Sequence, residues 1–318
     1  MLIRVAPAFA PAAATAGKRW LSYATCLLPT SVDPCWSVAF LPPSAATAAK
    51  RWLPLFALLV WLSPACATTT KAPASVRVLV YNIHAGKDAT GQPNLERVSA
   101  LIKSTAADVV LLQEVDRGTK RSGHVDQIAV LGQQTGYSTA FGRSLDYDGG
   151  LYGIAALALG GIANPVAESL PIEPPQARAG GSYEPRAALM MVASTRLGPV
   201  NALNTHLDAS RDEHYRLQES KHILLLIKRL SANSWPVMAG GDFNAEPGSA
   251  TYRQLVAGGV RDAWTECGAG DGFTYPAEKP IKRIDYLFLT SPLSCSHAEV
   301  IDSQASDHRP LLVTVTRH

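Results

Sequence analysis

The chain has 318 residues, 47% of them hydrophobic and 17% charged, which suits one sizeable globular domain plus extensions, or two small domains. Its formal net charge of +3 is concentrated at the N-terminus, where residues 1–67 hold Arg4, Lys18, Arg19, Lys50 and Arg51 against a single acid, Asp33. The remainder carries 24 basic and 25 acidic residues, a balance that argues against a protein built mainly to grip nucleic-acid backbone.

Residues 1–45 are rich in Ala and Pro, lack periodicity, and read as a disordered extension. Lys50-Arg51 is followed by WLPLFALLVWLSPACA, a basic start, a short apolar core and small residues at a cleavage site. Residues 46–67 therefore read as a signal sequence. The apolar run is short for a membrane span, which needs about 20 residues. Pro54 and Pro64 disfavour a buried helix instead. The expected location is exported, periplasmic or secreted. Cys66 raises lipid anchoring as an alternative, although Ser63 stands where that pattern favours Leu. A signal sequence that begins near residue 46 predicts a start later than Met1. Processing would leave Cys267 and Cys295, as a disulfide or as two buried thiols. None of the five cysteines has a metal-type spacing.

From Val76 the texture changes to alternating strands and helices. VRVLVYN, Val76 to Asn82, alternates like a strand. Leu95, Val98, Ile102 and Thr105 share a helical face. DVVLLQE, Asp108 to Glu114, is a continuous apolar run and so a strand covered on both faces. Val125 to Gln134 has helix potential. LYGIAALAL and RAALMMVAS read as strands separated by a Pro/Gly-rich loop over 164–185, and PVNALNTH is another strand. A helix follows, with Ser210 and Glu213 as a capping box and Ile223, Leu226, Ile227 and Leu230 on its buried face. PVMAGGDFN, RIDYLFL, HAEVIDS and PLLVTV complete about ten strands with three or four helices. The fold class expected is α/β or α+β, with two packed mixed sheets and one domain over 75–318.

Polar residues fall at the strand ends. Asn82, Glu114, Asn204, His206, Asp242 and Asn244 follow apolar runs, whereas Asp285 and the Asp307-His308 pair precede them. If the last strands run antiparallel to the earlier ones, all of these share one rim. Each alone is most often a turn residue. Together they form an oxygen-rich set with two histidines and no cysteine. That set disfavours a closed zinc site and suits Mg²⁺ or Mn²⁺ with a phosphoester substrate. No phosphate-cradling GxxxxGK[ST] loop occurs.

YNIHAG, LLQEVD, LNTHLD, GGDFNAEPGS, RIDYLFL and SDHRPLLV resemble, in order and spacing, the motifs of the endonuclease/exonuclease/phosphatase superfamily, the deoxyribonuclease-I-like fold. The resemblance covers Val76 to Val315. It implies a four-layer sandwich of two packed mixed sheets flanked by helices, and hydrolysis by in-line attack of water. It implies that Glu114 is the principal metal ligand, with Asn82 nearby on metal or phosphate and Asp307 as a second acidic ligand or a water-orienting group. Asp242 would orient or activate the water, Asn244 and His206 would act at the phosphate, and Asp285 would partner His308. Arg117, Arg121, Gln127 and Arg186 are candidate substrate contacts. Where many members carry YGNAILSR this chain has YGIAALAL, so Ile154 replaces the family Asn, and plain core packing is expected there. The substrate classes implied are nucleic acid, phospholipid head groups and sugar phosphates, with no stable protein partner and a monomer. The competing class is a non-catalytic relative that binds phosphate or a partner. It would be marked by loss of Glu114, Asp242, Asp285 or His308, and all four are present.

Overall fold

Twelve strands and five α-helices occur among the described residues, which are 74–174 and 184–318 of a computed structural model. The readings for residues 1–45 and 46–67, including Cys66, lie outside them. In chain order the elements begin with β1 (Ser75–Asn82), α1 (Leu95–Thr105), β2 (Val109–Arg117), α2 (Gln127–Thr135), β3 (Ser138–Tyr147), β4 (Gly150–Ala158) and β5 (Ile162–Leu170). Next come β6 (Arg186–Thr195), β7 (Gly198–His206), α3 (His214–Ser231), β8 (Val237–Asp242), α4 (Ala250–Ala257), β9 (Arg261–Asp262) and α5 (Ala263–Cys267). The chain closes with β10 (Asp285–Leu289), β11 (Leu293–Val300) and β12 (Leu311–Arg317).

The strands form two six-stranded mixed sheets, ordered β11-β12-β1-β2-β4-β3 and β5-β6-β7-β8-β10-β9. The period-two pattern of β1 explains how they stack. Val76, Val78 and Val80 pack in one apolar cluster with Leu189, Met191, Met238 and Leu287 of the second sheet. Leu79 and Tyr81 face the other way, onto Val98, Ile102 and Leu131 of α1 and α2. On the far side, Ile223, Leu226 and Ile227 of α3 cover Leu203, Val237 and Phe288. The layers are therefore helix, sheet, sheet, helix, as expected. Ile154 is buried in the central cluster.

Three expectations need correction. The stretch over 164–185 is not all loop, because β5 pairs with β6 through Leu170. β5 is a largely exposed edge strand. Its Pro165 sits where the register shifts between Ala163 and Val166, a bulge where a missing N–H costs little. β3, Ser138–Tyr147, is ten residues long, yet its polar alternation lacks the apolar run by which the sequence marks the other strands. The Ser210/Glu213 pair does not cap α3. Glu213 accepts instead from the backbone N–H groups of Ala250 and Thr251 at 3.1 and 2.7 Å. It thereby supplies negative charge to the N-terminus of α4, while Ser210 Oγ bonds Asp208.

Directionality decides the rim. β1 runs parallel to β2 and antiparallel to β12, while β7 runs parallel to β8 and β8 antiparallel to β10. The carboxyl ends of β1, β2, β7 and β8 thus lie beside the starts of β10 and β12. Asp242 pairs directly with His206 on one side and Asp285 on the other.

Asn204 takes a role the strand-end pattern did not suggest. The β2–β4 register slips between Leu112 and Val115, and Glu114 stands in that bulge with φ of +55°. Asn204 Nδ2 reaches across from β7 to the carbonyls of Leu112 and Ala155, each at 2.8 Å, and its Oδ1 accepts from Gln113 Nε2 at 2.7 Å. It staples the two sheets beside the bulge that delivers Glu114. Asn204→Leu would leave these buried groups without partners, at about 1–3 kcal/mol each. We expect a stability loss of about 3 kcal/mol in a denaturant titration. A change under about 0.5 kcal/mol would contradict the staple.

Candidate active site

Glu114, Asn82, His206, Asp242, Asn244, Asp285, Asp307 and His308 all come to one rim. A cavity of about 940 Å³ opens there, with Glu114, His206, Asp242, Asn244, Asp307 and His308 in its walls. Asn82 is the buried link between the sheets. Its Nδ2 donates to Glu114 Oε1 and Asp242 Oδ2, each at 3.1 Å, and its Oδ1 accepts from His84 N–H at 3.0 Å. That backbone N–H fixes which end of the amide faces the carboxylates, since only Oδ1 can accept it.

Backbone exceptions aim the side chains. Gly241 has φ of +151°, and a Cβ there would lie 2.0 Å from the Thr205 carbonyl oxygen. Only glycine allows β7 and β8 to approach this closely at the end of the ladder. The Gly-Gly-Asp stretch is thus strand, not a chance turn. Asn244 has φ of +47°. Its N–H donates to Asp242 Oδ1 at 2.9 Å and its Nδ2 to the Leu207 carbonyl at 3.0 Å. Asp307 and His308 sit on the loop before β12. Asn94 Nδ2 donates to the carbonyls of Ala305 and Ile83, tying that loop to the end of β1. Nothing in the local pattern around Asn94 signals this.

Asp242 Oδ2 is the meeting point. Besides Asn82, His206 Nε2 lies 3.5 Å from it and His308 Nε2 3.6 Å. On its other ring nitrogen, His308 Nδ1 is 2.8 Å from Asp285 Oδ2. Tyr275 packs its ring against His308 at 4.8 Å. Burial pushes the Asp242 carboxyl up to about 7, Asp285 adds to this, and His308 pulls it back. Burial acts to lower His308, but Asp285 and then Asp242 outweigh it and hold the imidazole up to about 10. His206 moves the other way, well below 6.5, because of burial, then Arg186, then His308. The site thus holds one charged and one neutral imidazole at neutral pH.

Two groups of side chains suit a cation. Glu114 and Asp307 offer only oxygen donors, the chemistry of a hard divalent ion with water and substrate completing its shell. Asn82 turns Nδ2 toward Glu114 and Asp242 and Oδ1 toward the His84 N–H, and so braces the Glu114 carboxylate. Asp242, Asp285 and His308 also have ligand atoms within 4.8 Å of one another. There, however, His308 Nδ1 and Asp285 Oδ2 already engage each other at 2.8 Å, whereas Glu114 and Asp307 supply hard oxygen donors alone and suit such an ion better.

The arginines separate. Arg117 pairs with Asp126 at 2.8 Å on the surface, and its side chain is 48% exposed. The structure does not bring it to the cavity. Arg121 lines the cavity but is held bidentately by Asp116, both contacts at 2.7 Å, with Tyr147 and Tyr152 against its face. Arg186 is buried and donates from Nη1 to His206 Nδ1 at 3.1 Å. Gln127 is a scaffold residue, accepting from Asp116 N–H and donating to the Ala85 carbonyl. Arg211, Glu246 and Lys282 also line the cavity, and the sequence does not single them out because isolated surface charges carry no pattern.

Comparison with known proteins places this arrangement. The model of the Endonuclease/Exonuclease/phosphatase family matches residues 79–308. Among similar solved structures is an endonuclease/exonuclease/phosphatase from Beutenbergia cavernae, 23% identical over 77% of this chain and 72% of that one, with a TM-score of 0.62. A mannosyl-6-phosphatase of Bacteroides thetaiotaomicron is 17% identical over 76% of this chain and 99% of its own, with a TM-score of 0.63. The human Nocturnin catalytic domain, solved with a bound sulfate anion, is 19% identical over 77% and 94%, with a TM-score of 0.61. At these identities the likeness is one of fold.

Proposed function

Because the chain belongs to the endonuclease/exonuclease/phosphatase family, we propose that it is a metal-dependent phosphoesterase that hydrolyses a phosphate ester by in-line attack of water. The observation that carries this is the convergence of Asn82, His206 and His308 on Asp242 Oδ2 at the wall of the cavity.

Glu114 and Asp307 would hold Mg²⁺ or Mn²⁺, with Asn82 Nδ2 bracing the Glu114 carboxylate. When bound, the cation stabilises charge on the phosphate oxygens. Asp242 orients the attacking water and takes its proton. Its partners, Asn82 Nδ2 and the Asn244 N–H, fix the carboxylate plane, so little reorganisation is needed. Asn244 uses one side-chain N–H on the Leu207 carbonyl and directs the other toward phosphate oxygen. His308, charged and held by Asp285, stabilises negative charge at the phosphorus and donates its proton as the ester bond breaks.

A sugar phosphate leads the substrate classes. The charge balance beyond residue 67 does not favour a polynucleotide, and one similar fold is a mannosyl-6-phosphatase. Phospholipid head groups and nucleic acid are the comparison arms. The test is turnover of all three by purified protein with EDTA, then with Mg²⁺ or Mn²⁺ added back. Turnover that EDTA abolishes and the ion restores is the expected result. No metal-dependent turnover on any class would overturn the enzyme reading in favour of a non-catalytic relative.

Export is part of the same reading. Cys267 of α5 and Cys295 of β11 form a disulfide, which supports an oxidising compartment. N-terminal sequencing of the native protein is expected to find a processed start beyond residue 46, and an intact Met1 would contradict it.

A further inference from the structure

The two histidines of the site are held in opposite ways. We infer from this that Arg186 is a positioning residue that locks His206 in the neutral tautomer with its proton on Nε2, making His206 a fixed N–H donor to the phosphate rather than a proton-transfer group. The inference rests on the phosphoesterase reading for its catalytic meaning, but not for its chemistry.

The geometry is specific. Arg186 opens β6, and its side chain is 2% exposed. Its Nη1 lies 3.1 Å from His206 Nδ1. A guanidinium has five N–H donors and no acceptor, so Nδ1 must be the accepting nitrogen. The single proton of the neutral ring then sits on Nε2, the nitrogen that faces the Asp242 carboxylate at 3.5 Å. Glu184 Oε2 lies 3.4 Å from Arg186 Nη2, with both side chains buried, and so anchors the guanidinium behind the ring. A second proton on His206 would place two cations in contact inside the protein, which burial makes costly. This agrees with the downward shift of His206 by burial, Arg186 and His308.

His308 has the reverse arrangement. There an acid, Asp285, occupies the equivalent outer position at 2.8 Å from Nδ1. An acid behind one ring favours a proton that can be transferred, whereas a guanidinium behind the other forbids one. Arg186 also lines the cavity, but Nη1 and Nη2 are the atoms that face His206 and Glu184.

The test reads the tautomer directly. Full-length protein labelled with ¹⁵N-histidine is examined by NMR at neutral pH, with His206→Asn assigning the signal. His206 is expected to show a bare, hydrogen-bonded Nδ1 and a protonated Nε2. In Arg186→Met both nitrogen shifts are expected to move, as the ring gains a second proton or exchanges tautomers. In the same variant kcat falls on the order of 10²-fold, with KM changed less than about threefold. Arg186→Lys, which keeps one donor, recovers part of both.

A wild-type His206 protonated on Nδ1, or on both nitrogens, would overturn the inference. So would unchanged His206 shifts in Arg186→Met, or a raised KM at unchanged kcat, which marks a substrate contact. If Arg186→Met does not fold, the wild-type tautomer and Arg186→Lys decide. If no phosphoester is turned over, the tautomer result still stands or falls alone, and only the functional reading fails.

Discussion

Asp242→Ala is expected to abolish most turnover, by a factor on the order of 10³–10⁴, while the protein still folds. Asn82 Nδ2 donates to one oxygen of this carboxylate, Oδ2, with His206 Nε2 and His308 Nε2 at 3.5 and 3.6 Å from it, and no neighbour can replace it. Asp285 is engaged by His308, and Glu114 belongs to the oxygen set proposed for the cation. Stability should change little, because two effects oppose each other. Removing the carboxyl leaves the Asn244 N–H and one Asn82 N–H without an acceptor, at about 1–3 kcal/mol. It also removes a buried acid that burial and Asp285 both disfavour in its charged form. Far-UV circular dichroism and a thermal melt check the fold, and steady-state turnover checks the loss. An active Asp242→Ala protein would remove the water-activating group from the account.

His308→Gln is expected to cost about 10³-fold, and to change the pH profile as well as its height. The sign follows from the direction of the shift. With its pKa raised by Asp285 and Asp242 to about 10, the wild-type ring stays protonated through neutral pH and discharges only above it. The alkaline limb due to His308 should therefore lie well above 6.5. It should vanish in His308→Gln, whose amide does not titrate. Asp285→Asn leaves the ring in place but withdraws the carboxylate, so the same limb should move down. A wild-type limb near 6.5, or a limb unchanged in Asp285→Asn, would show that the pair does not control proton transfer.

Much of the site was legible because polar residues interrupt apolar strands. Asn82, Glu114, His206 and Asp242 each end such a run, and Asp285 and Asp307-His308 precede one. The directions of β10 and β12 bring the two groups together. The capping-box reading failed because Ser210 and Glu213 have the right spacing but fold onto Asp208 and α4. The strand β5 was hidden by Asn164-Pro165, which an edge bulge tolerates. Asn204 looked like a rim residue but points between the sheets, since strand-end position does not reveal which face a side chain takes. The Arg186–His206 pair was hidden for another reason. It depends on β6 lying beside β7, with Ala188 opposite Thr205, and no local pattern encodes that register.

The central claim is that a divalent cation held by Glu114 drives phosphoester hydrolysis at this rim. It is tested most directly by titrating Mg²⁺ into metal-stripped wild-type and Glu114→Gln proteins while following phosphate-ester turnover. The account predicts no turnover without the ion and recovery on its addition. It also predicts that Glu114→Gln, with its ligand charge removed, needs at least about tenfold more Mg²⁺ for half-maximal rate. Equal turnover with and without the ion, or identical Mg²⁺ requirements in the two proteins, would contradict it.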